Sequence, residues 1–350
     1  MVEERIMATI RDVAHMARVS VSTVSLVLRQ PHRVSDETRE KVEKAVEELQ
    51  YQPNGMARDL RVRKTDTIAV LLHNLSGPFY SELIRGVEEA GESLGFTTLA
   101  AGCSKSYDQG SLRLLHEGRV DGAIVLDPTI SSPVLLRYAR KNLPIVVLDR
   151  GLSGAFQSDF ITAVGSDHKS GGYLAGQHLL AQGYRRFALI AGPVDSEHSH
   201  LREVGFFRAM QEAEIDVSTI PVVHSDFTEP GGMKAMNMLL DHEWSFDSLF
   251  CANDEMAIGA MQVLEARHLI VPQDVAVMGF DDIRLARYVN PSLSTIRQPM
   301  YELGVAAMKQ LYRAMQGKTC IPGEMLPVKL IARASTPQSI TKAGEEPHVS

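Results

Sequence analysis

The chain has 350 residues, 44% of them hydrophobic and 23% charged, an ordinary globular composition and too long for one domain of typical size. Its net charge of −7 excludes a uniformly basic nucleic-acid coat, and three scattered cysteines (Cys103, Cys251, Cys320) without a CxxC pair exclude a disulfide framework or zinc knuckle. The first residues lack the apolar core of a signal peptide, and apolar runs such as Ile145 to Leu148 are too short to span a bilayer, so a cytoplasmic protein is expected.

The first fifty residues depart from that average. Between Thr9 and Ser35, Arg11, Arg18, Arg29 and Arg33 stand against Asp12 alone, a local charge of +3 that suits a small DNA-binding module. Ile10, Val13, Ala14 and Ala17 recur at helical spacing, as do Val21, Val24, Val27 and Leu28. Arg18-Val19-Ser20 joins the two helices tightly, with Ser20 placed to cap the second. Ser35 is expected to cap a third helix, with Asp36 and Glu37 in its first turn and Val42, Ala45, Val46 and Leu49 as its buried stripe. Pro53 stops that pattern. A further short helix is expected from Asn54 to Leu60; it is marginal in isolation, and Gly55 costs it about 1 kcal/mol relative to alanine.

From Thr67 the texture alternates. Strand-like runs are Ile68 to His73, Thr97 to Ala101, Ala123 to Leu126, Ile145 to Leu148, Phe160 to Val164, Phe187 to Ala191, Ser248 to Ala252 and Val275 to Phe280. Amphipathic helices separate most of them, among them Tyr80 to Ser93, Ser170 to Ala181, Leu201 to Ala213 and Glu255 to Ala266. Such alternation implies parallel sheets with helices on both faces, and the length implies two α/β lobes. The polar tail 336–350 is expected to be disordered. Ligands of open parallel sheets collect at the carboxyl ends of strands, where Asn74, Asp149-Arg150, Asn253-Asp254 and Asp281-Asp282 fall. No nucleophile elbow, Walker loop, GxGxxG fingerprint or HExxH is read, and Asp195, His198 and His200 lack the spacing of a metal motif. No enzyme, metal or cofactor is therefore expected.

The run Thr9-Ile10-Arg11-Asp12-Val13-Ala14, followed by Val19-Ser20-Val21-Ser22-Thr23-Val24-Ser25, closely resembles the start of the lac repressor/galactose repressor family of bacterial regulators. So do Val34-Ser35, Thr38-Arg39, Val42, Leu49-Gln50-Tyr51-Gln52-Pro53-Asn54 and Ala57-Arg58-Asp59-Leu60. Further matches are Arg119-Val120-Asp121-Gly122, Pro144 to Arg150, Ala191-Gly192-Pro193, Ala252-Asn253-Asp254 and Gly279-Phe280-Asp281-Asp282, so the likeness runs from residue 9 to about 335.

The resemblance implies an all-α helix-turn-helix headpiece (1–53), a hinge helix and linker (54–64), and an α/β two-lobed sensor like periplasmic sugar-binding proteins (65–335). Lobe one would hold about 65–165 and 298–325, and lobe two about 166–293 and 326–335. On DNA, Val21 and Ser22 would meet base edges in the major groove, with Ser25 and Leu26 one turn on. Ser20, Thr23, Arg33, Ser35 and Thr38 would hold phosphates, and Arg29 can do either. Leu26 is a departure, since many members carry a polar or basic residue there. Asn54 and Ala57 would belong to the hinge helix, whose Leu60 would wedge into the minor groove.

In the cleft, Arg202 matches the family's effector-binding arginine, Asp281 an acceptor, and Phe79 and Phe227 flanking aromatics. Asn253, Asp149, Arg150, His198 and Gln298 complete the candidate effector set, with a structural ion pair as the alternative reading of Asp149 and Arg150. These features suggest a repressor acting as a homodimer on a near-palindromic DNA operator, nucleoid-associated when bound. The effector would be a sugar or sugar derivative; a purine or other metabolite acting by corepression is the alternative.

Overall fold

The computed structural model describes residues 8–51, 64–73, 75, 79–102, 110–150, 158–242, 244–318 and 323–336; the side chains of Arg29 and Phe79 fall outside this description. The hinge residues Asn54, Ala57 and Leu60, Asn74, and residues 337–350 also lie outside it. The chain divides into two units between Lys64 and Thr65.

The first unit is three helices: α1 (Ile10–Ala17), α2 (Val21–Arg29) and α3 (Asp36–Glu48). A reciprocal cap starts α1, with Thr9 N–H donating to Asp12 Oδ2 at 2.7 Å and Asp12 N–H returning to Thr9 Oγ1. Arg18 takes a left-handed conformation (φ 51°) and its N–H closes on the carbonyls of Ala14 and His15, which ends α1 and leaves three residues before α2. The core is Val13, Ala14 and Ala17 of α1, Val24 and Val27 of α2, and Val42 and Ala45 of α3. Val21 and Leu28 are each 38% exposed, because α2 buries only the narrow stripe around Val24 and Val27. One expectation differs here. Ser35 occupies the N-cap of α3, but its hydroxyl bonds to Thr38 Oγ1 at 2.9 Å instead of to the helix backbone.

The second unit holds two six-stranded sheets. The first contains β1 (Thr67–Leu72), β2 (Thr97–Gly102), β3 (Gly122–Leu126), β4 (Ile145–Leu148), β5 (Ile161–Ser166) and β11 (Glu324–Leu326), in the order β11-β5-β4-β3-β1-β2, all parallel. The second contains β6 (Phe187–Ala191), β7 (Val222–His224), β8 (Ser248–Cys251), β9 (Ala276–Asp281), β10 (Ser294–Arg297) and β12 (Lys329–Ile331), in the order β12-β10-β9-β8-β6-β7, with β12 antiparallel. Each sheet is covered on both faces: Ile68, Val70 and Leu72 join one core cluster, and Ala69 and Leu71 the opposite one.

The helices that matter for the site are α4 (Phe79–Ser93), α5 (Gly110–His116), α6 (Ser132–Tyr138), α7 (His168–Ala181), α8 (Glu197–Glu212), α9 (Glu229–Asp241), α10 (Asp254–Ala266) and α11 (Met300–Met315). Helices α7 and α8 cross with their backbones in contact: a Cβ on Gly172 would lie 1.8 Å from the Arg202 carbonyl oxygen, and one on Gly205 1.9 Å from that of Lys169. Glycine there sets the position of Arg202. The chain passes between sheets three times, at Ser166–His168, Arg297–Met300 and Leu326–Lys329.

Three-residue β7 and β11 carry too few residues for a periodic signal, and β10 (Ser-Thr-Ile-Arg) carries only one strongly apolar residue. Thr336, placed in the polar tail on sequence grounds, is buried and bonds to His178 Nε2 at 2.8 Å and Ser294 Oγ at 2.7 Å. A literal GxSxG string, Gly91-Glu92-Ser93-Leu94-Gly95, sits at the C-terminus of α4 and so is no strand-to-helix elbow.

Candidate functional site

In the headpiece the N-terminus of α2 presents small hydroxyls. Ser20 caps the helix by accepting from Thr23 N–H at 3.0 Å, and its Oγ also meets Ser22 Oγ at 2.7 Å and Thr23 Oγ1 at 2.8 Å. Val21, Ser22 and Leu26 are exposed on the same helix, Leu26 by 36%, and Ser25 is half-buried. Arg33 and Ser35 are exposed and Thr38 is half-buried beside Ser35. Val21 and Leu26 thus place two apolar side chains beside these hydroxyls on the exposed face of α2.

In the second unit the carboxyl ends of β4, β8, β9 and β10 bring polar residues to one edge. Arg202, in the second turn of α8, is the hub. That helix begins at Glu197, capped by Ser196, four residues earlier than expected from sequence. Arg202 is buried (3% exposed); its Nη1 donates to the Ala252 carbonyl and lies 3.4 Å from Asp281 Oδ1, and its guanidinium sits 3.9 Å over the Phe280 ring. Its Nε donates to His168 Nδ1 at 3.3 Å. Asp281, at the end of β9, accepts from Gln298 Nε2 at 2.7 Å. Burial pushes the Asp281 carboxyl up to about 7 even though Arg202 pulls it down. Gln298, assigned on sequence to the first lobe, is thus bonded to the second sheet, as its residue follows β10 directly.

Phe227 and His198 form a stacked pair, centroids 5.3 Å apart and 17° between planes. Phe227 adopts φ 65° and closes over Gly192, where a Cβ would come within 2.2 Å of its ring. Burial, with the positive charge of Arg202 next, pushes His198 down to about 3, so its imidazole is neutral at physiological pH. Asn253 caps α10 through Oδ1 and donates Nδ2–H to the Phe227 carbonyl at 2.9 Å, so its amide holds the site's frame.

From the first sheet come Asp149 and Arg150, and the ion pair between them that the sequence left open does not form. Asp149 accepts from Ser166 N–H at 2.8 Å and approaches His168 Nε2 at 3.1 Å, while Arg150 donates to the Ile130 carbonyl at 2.6 Å and to that of Pro128. Burial alone would raise Asp149, but His168 and the Ser166 N–H hold it below the usual carboxylate range.

Sequence reasoning passed over His168, Ser166 and Tyr80. Ending the fifth strand at Val164 hid the first two; carried to Ser166, the same strand places His168 at the edge where ligands collect. Tyr80 lies next to Phe79 on α4, and its phenol is pushed up to about 12 by burial and by Asp127, Asp281 and Glu255. Among the described residues, Ser166 Oγ and Gln298 Oε1 are buried without a hydrogen-bond partner. Asp195 and His200 are exposed while His198 turns inward, and no group of three metal-ligating side chains occurs among the described residues.

Comparison with known proteins agrees with this geometry. Residues 9–54 match the profile of bacterial regulatory proteins of the lacI family, and residues 177–336 that of the periplasmic binding protein-like domain. The HTH-type transcriptional repressor PurR of Serratia proteamaculans is 37% identical over 308 residues, 87% of this chain and 89% of that one. The chain belongs to the LacI family. Among solved LacI-type structures, the lac repressor dimer bound to operator and the anti-inducer ONPF has a TM-score of 0.81 at 29% identity, covering 94% of this chain and 99% of that one. The transcriptional regulator CelR in complex with cellobiose has a TM-score of 0.70 at 32% identity over the same shares. As a LacI-family protein the chain is a DNA-binding transcriptional repressor under small-molecule control, and not an enzyme.

Proposed function

We propose that the effector is a hydroxyl-rich compound of the sugar class, held between the two sheets of the second unit, and that the protein represses as a homodimer on a near-palindromic operator. The observation that carries this reading is the buried Arg202–Asp281 pair beside the unpartnered Gln298 Oε1 and Ser166 Oγ. A guanidinium donates to adjacent hydroxyls and a carboxylate accepts from them, so the pair is matched to a diol, with the Phe227 ring suited to a sugar's C–H face. The cellobiose complex of CelR supports the same class. The flat His198–Phe227 stack equally suits a planar heterocycle, so a purine acting by corepression is the second reading.

On DNA, α2 enters the major groove: Val21 meets a thymine methyl, Ser22 bonds either base class, and Ser25, Leu26 and Arg29 follow one or two turns on. Ser20, Thr23, Arg33, Ser35 and Thr38 fix the register on phosphates. Asn54, Ala57 and Leu60 serve the hinge, with Leu60 as a minor-groove wedge. The lac repressor dimer bound to operator supports that arrangement, and a regulator working this way acts in the cytoplasm, on the nucleoid when DNA-bound. A thermal-shift screen with D-ribose, cellobiose, gluconate, guanine and hypoxanthine tests the effector class: a ligand at a hundred times its Kd adds about 2.7 kcal/mol of stability. A sugar raising Tm bears the reading out; a shift with the nucleobases alone replaces it with the purine reading.

A further inference from the structure

We propose that His168 is a positioning residue that couples the effector arginine to the first sheet, and that it does so as the neutral imidazole protonated on Nε2. This rests on the effector reading above, since it deepens the role of the same site. Its ring is 1% exposed and sits between two charged groups from different parts of the second unit. Arg202, on α8 over the second sheet, donates Nε–H to His168 Nδ1 at 3.3 Å. A guanidinium can only donate, so Nδ1 must carry a lone pair and the proton of the neutral ring belongs to Nε2. That nitrogen lies 3.1 Å from Asp149, which directly follows β4 of the first sheet.

The two links differ in quality. The Arg202 link joins α7 to α8, whose backbones pack so closely at Gly172 and Gly205 that neither position has room for a Cβ. The Asp149 link runs between the sheets and is close but out of line, leaving Nε2 without a proper hydrogen-bond partner. A contact within bonding distance but misaligned is improved or lost by a small rotation of one sheet against the other. Asp149 is meanwhile tied to the crossing segment through Ser166 N–H, and Arg202 reaches the next crossing through Asp281 and Gln298. His168 therefore stands in the middle of a buried polar chain running from one crossover to another. Anything that moves Arg202, a bound diol included, is felt at Asp149 through this ring. Burial lowers the His168 ring more than the adjacent Asp149 raises it, and the positive charge of Arg202 adds to the lowering, in keeping with the neutral form.

The test is a double-mutant cycle on full-length protein, read as affinity for a DNA duplex selected from random sequence by the wild type. His168→Leu and Asp149→Asn should each change operator affinity three- to tenfold in the absence of any effector, in the same direction, and the double variant should differ no further. His168→Gln, which keeps an acceptor and a donor, should restore at least half of the effect. Nitrogen-15 NMR of the wild type should show protonated Nε2 and unprotonated Nδ1. Effects that multiply, single variants that bind as wild type does, or a proton on Nδ1 would overturn the proposal. Failure of the wild type to select any sequence would instead overturn the repressor reading, and the NMR tautomer would still decide the role of His168.

Discussion

In the headpiece, Ser20, Ser22, Thr23, Ser35 and Thr38 stand at or near the surface and bond to one another within three residues, whereas in the sensor Arg202, Asp281, His168 and Asp149 are buried and bond across helices and strands. The difference follows from what each site must recognise. A hydroxyl left in water costs nothing, so a surface that meets DNA only part of the time is built from small, neutral, interchangeable donors and acceptors. A charge out of water must be paired at all times, so a cleft that reads a small molecule is held together by its own recognition groups. Substitutions of the headpiece hydroxyls other than the Ser20 cap should accordingly leave stability nearly unchanged and alter DNA choice, but substitutions in the cleft should disturb both stability and binding.

The largest test of that contrast is Gly172→Ala. Its Cβ would overlap the Arg202 carbonyl, which no side-chain rotation relieves, so we expect about 3 kcal/mol of destabilisation in urea unfolding, at the upper end of overpacking costs. A neutral variant would mean that α7 and α8 can part freely, and that Arg202 is not set by their crossing.

The pH dependence of stability comes next. His198 is depressed to about 3 and Asp281 raised to about 7, each mainly by burial. His198 therefore contributes stability above its unfolded value, about 6.5, and this is lost as pH falls toward 3. Asp281 contributes stability below its unfolded value, about 3.9, and this is lost as pH rises through 7. The two oppose each other between pH 4 and 6.5. Asp281→Asn should leave a stability that falls on acidification, by at most about 1.4 kcal/mol per pH unit, and His198→Gln one that falls on the alkaline side. Two variants with the wild-type profile would show that neither group is held as described.

Ser20→Ala should cost about 1 kcal/mol as a lost helix cap, measured on the headpiece transition. Ser22→Ala should change stability by less than about 0.5 kcal/mol, yet shift the sequences recovered in selection from random DNA. An unchanged consensus would remove Ser22 from base reading and break the headpiece half of the contrast.

How much of this was legible beforehand depends on how local each cause is. The helices of the headpiece and the long strands announce themselves by periodicity, and Ser20 by its place before an apolar run. Arg202, Phe227 and Gln298 were reached through resemblance and Asp281 also by its place at a strand end, and the structure brings Arg202, Asp281 and Gln298 into one bonded set. His168 was not reached, because its meaning lies in two partners 19 residues before it and 34 after. Thr336 was misread for the same reason: its composition is that of a tail, and only Ser294 and His178 give it a place.

The central claim is that a small molecule in the cleft governs DNA binding through Arg202. The most direct measurement is fluorescence anisotropy of wild type and Arg202→Ala on the selected duplex, across a titration with whichever screened compound raises Tm. We predict that the compound changes wild-type operator affinity at least tenfold, and that the variant needs ten- to a hundredfold more of it for the same change, the loss of a charge-assisted contact worth about 1.5–3 kcal/mol. The same response curve for both proteins, or a compound that binds without changing operator affinity, would contradict the account.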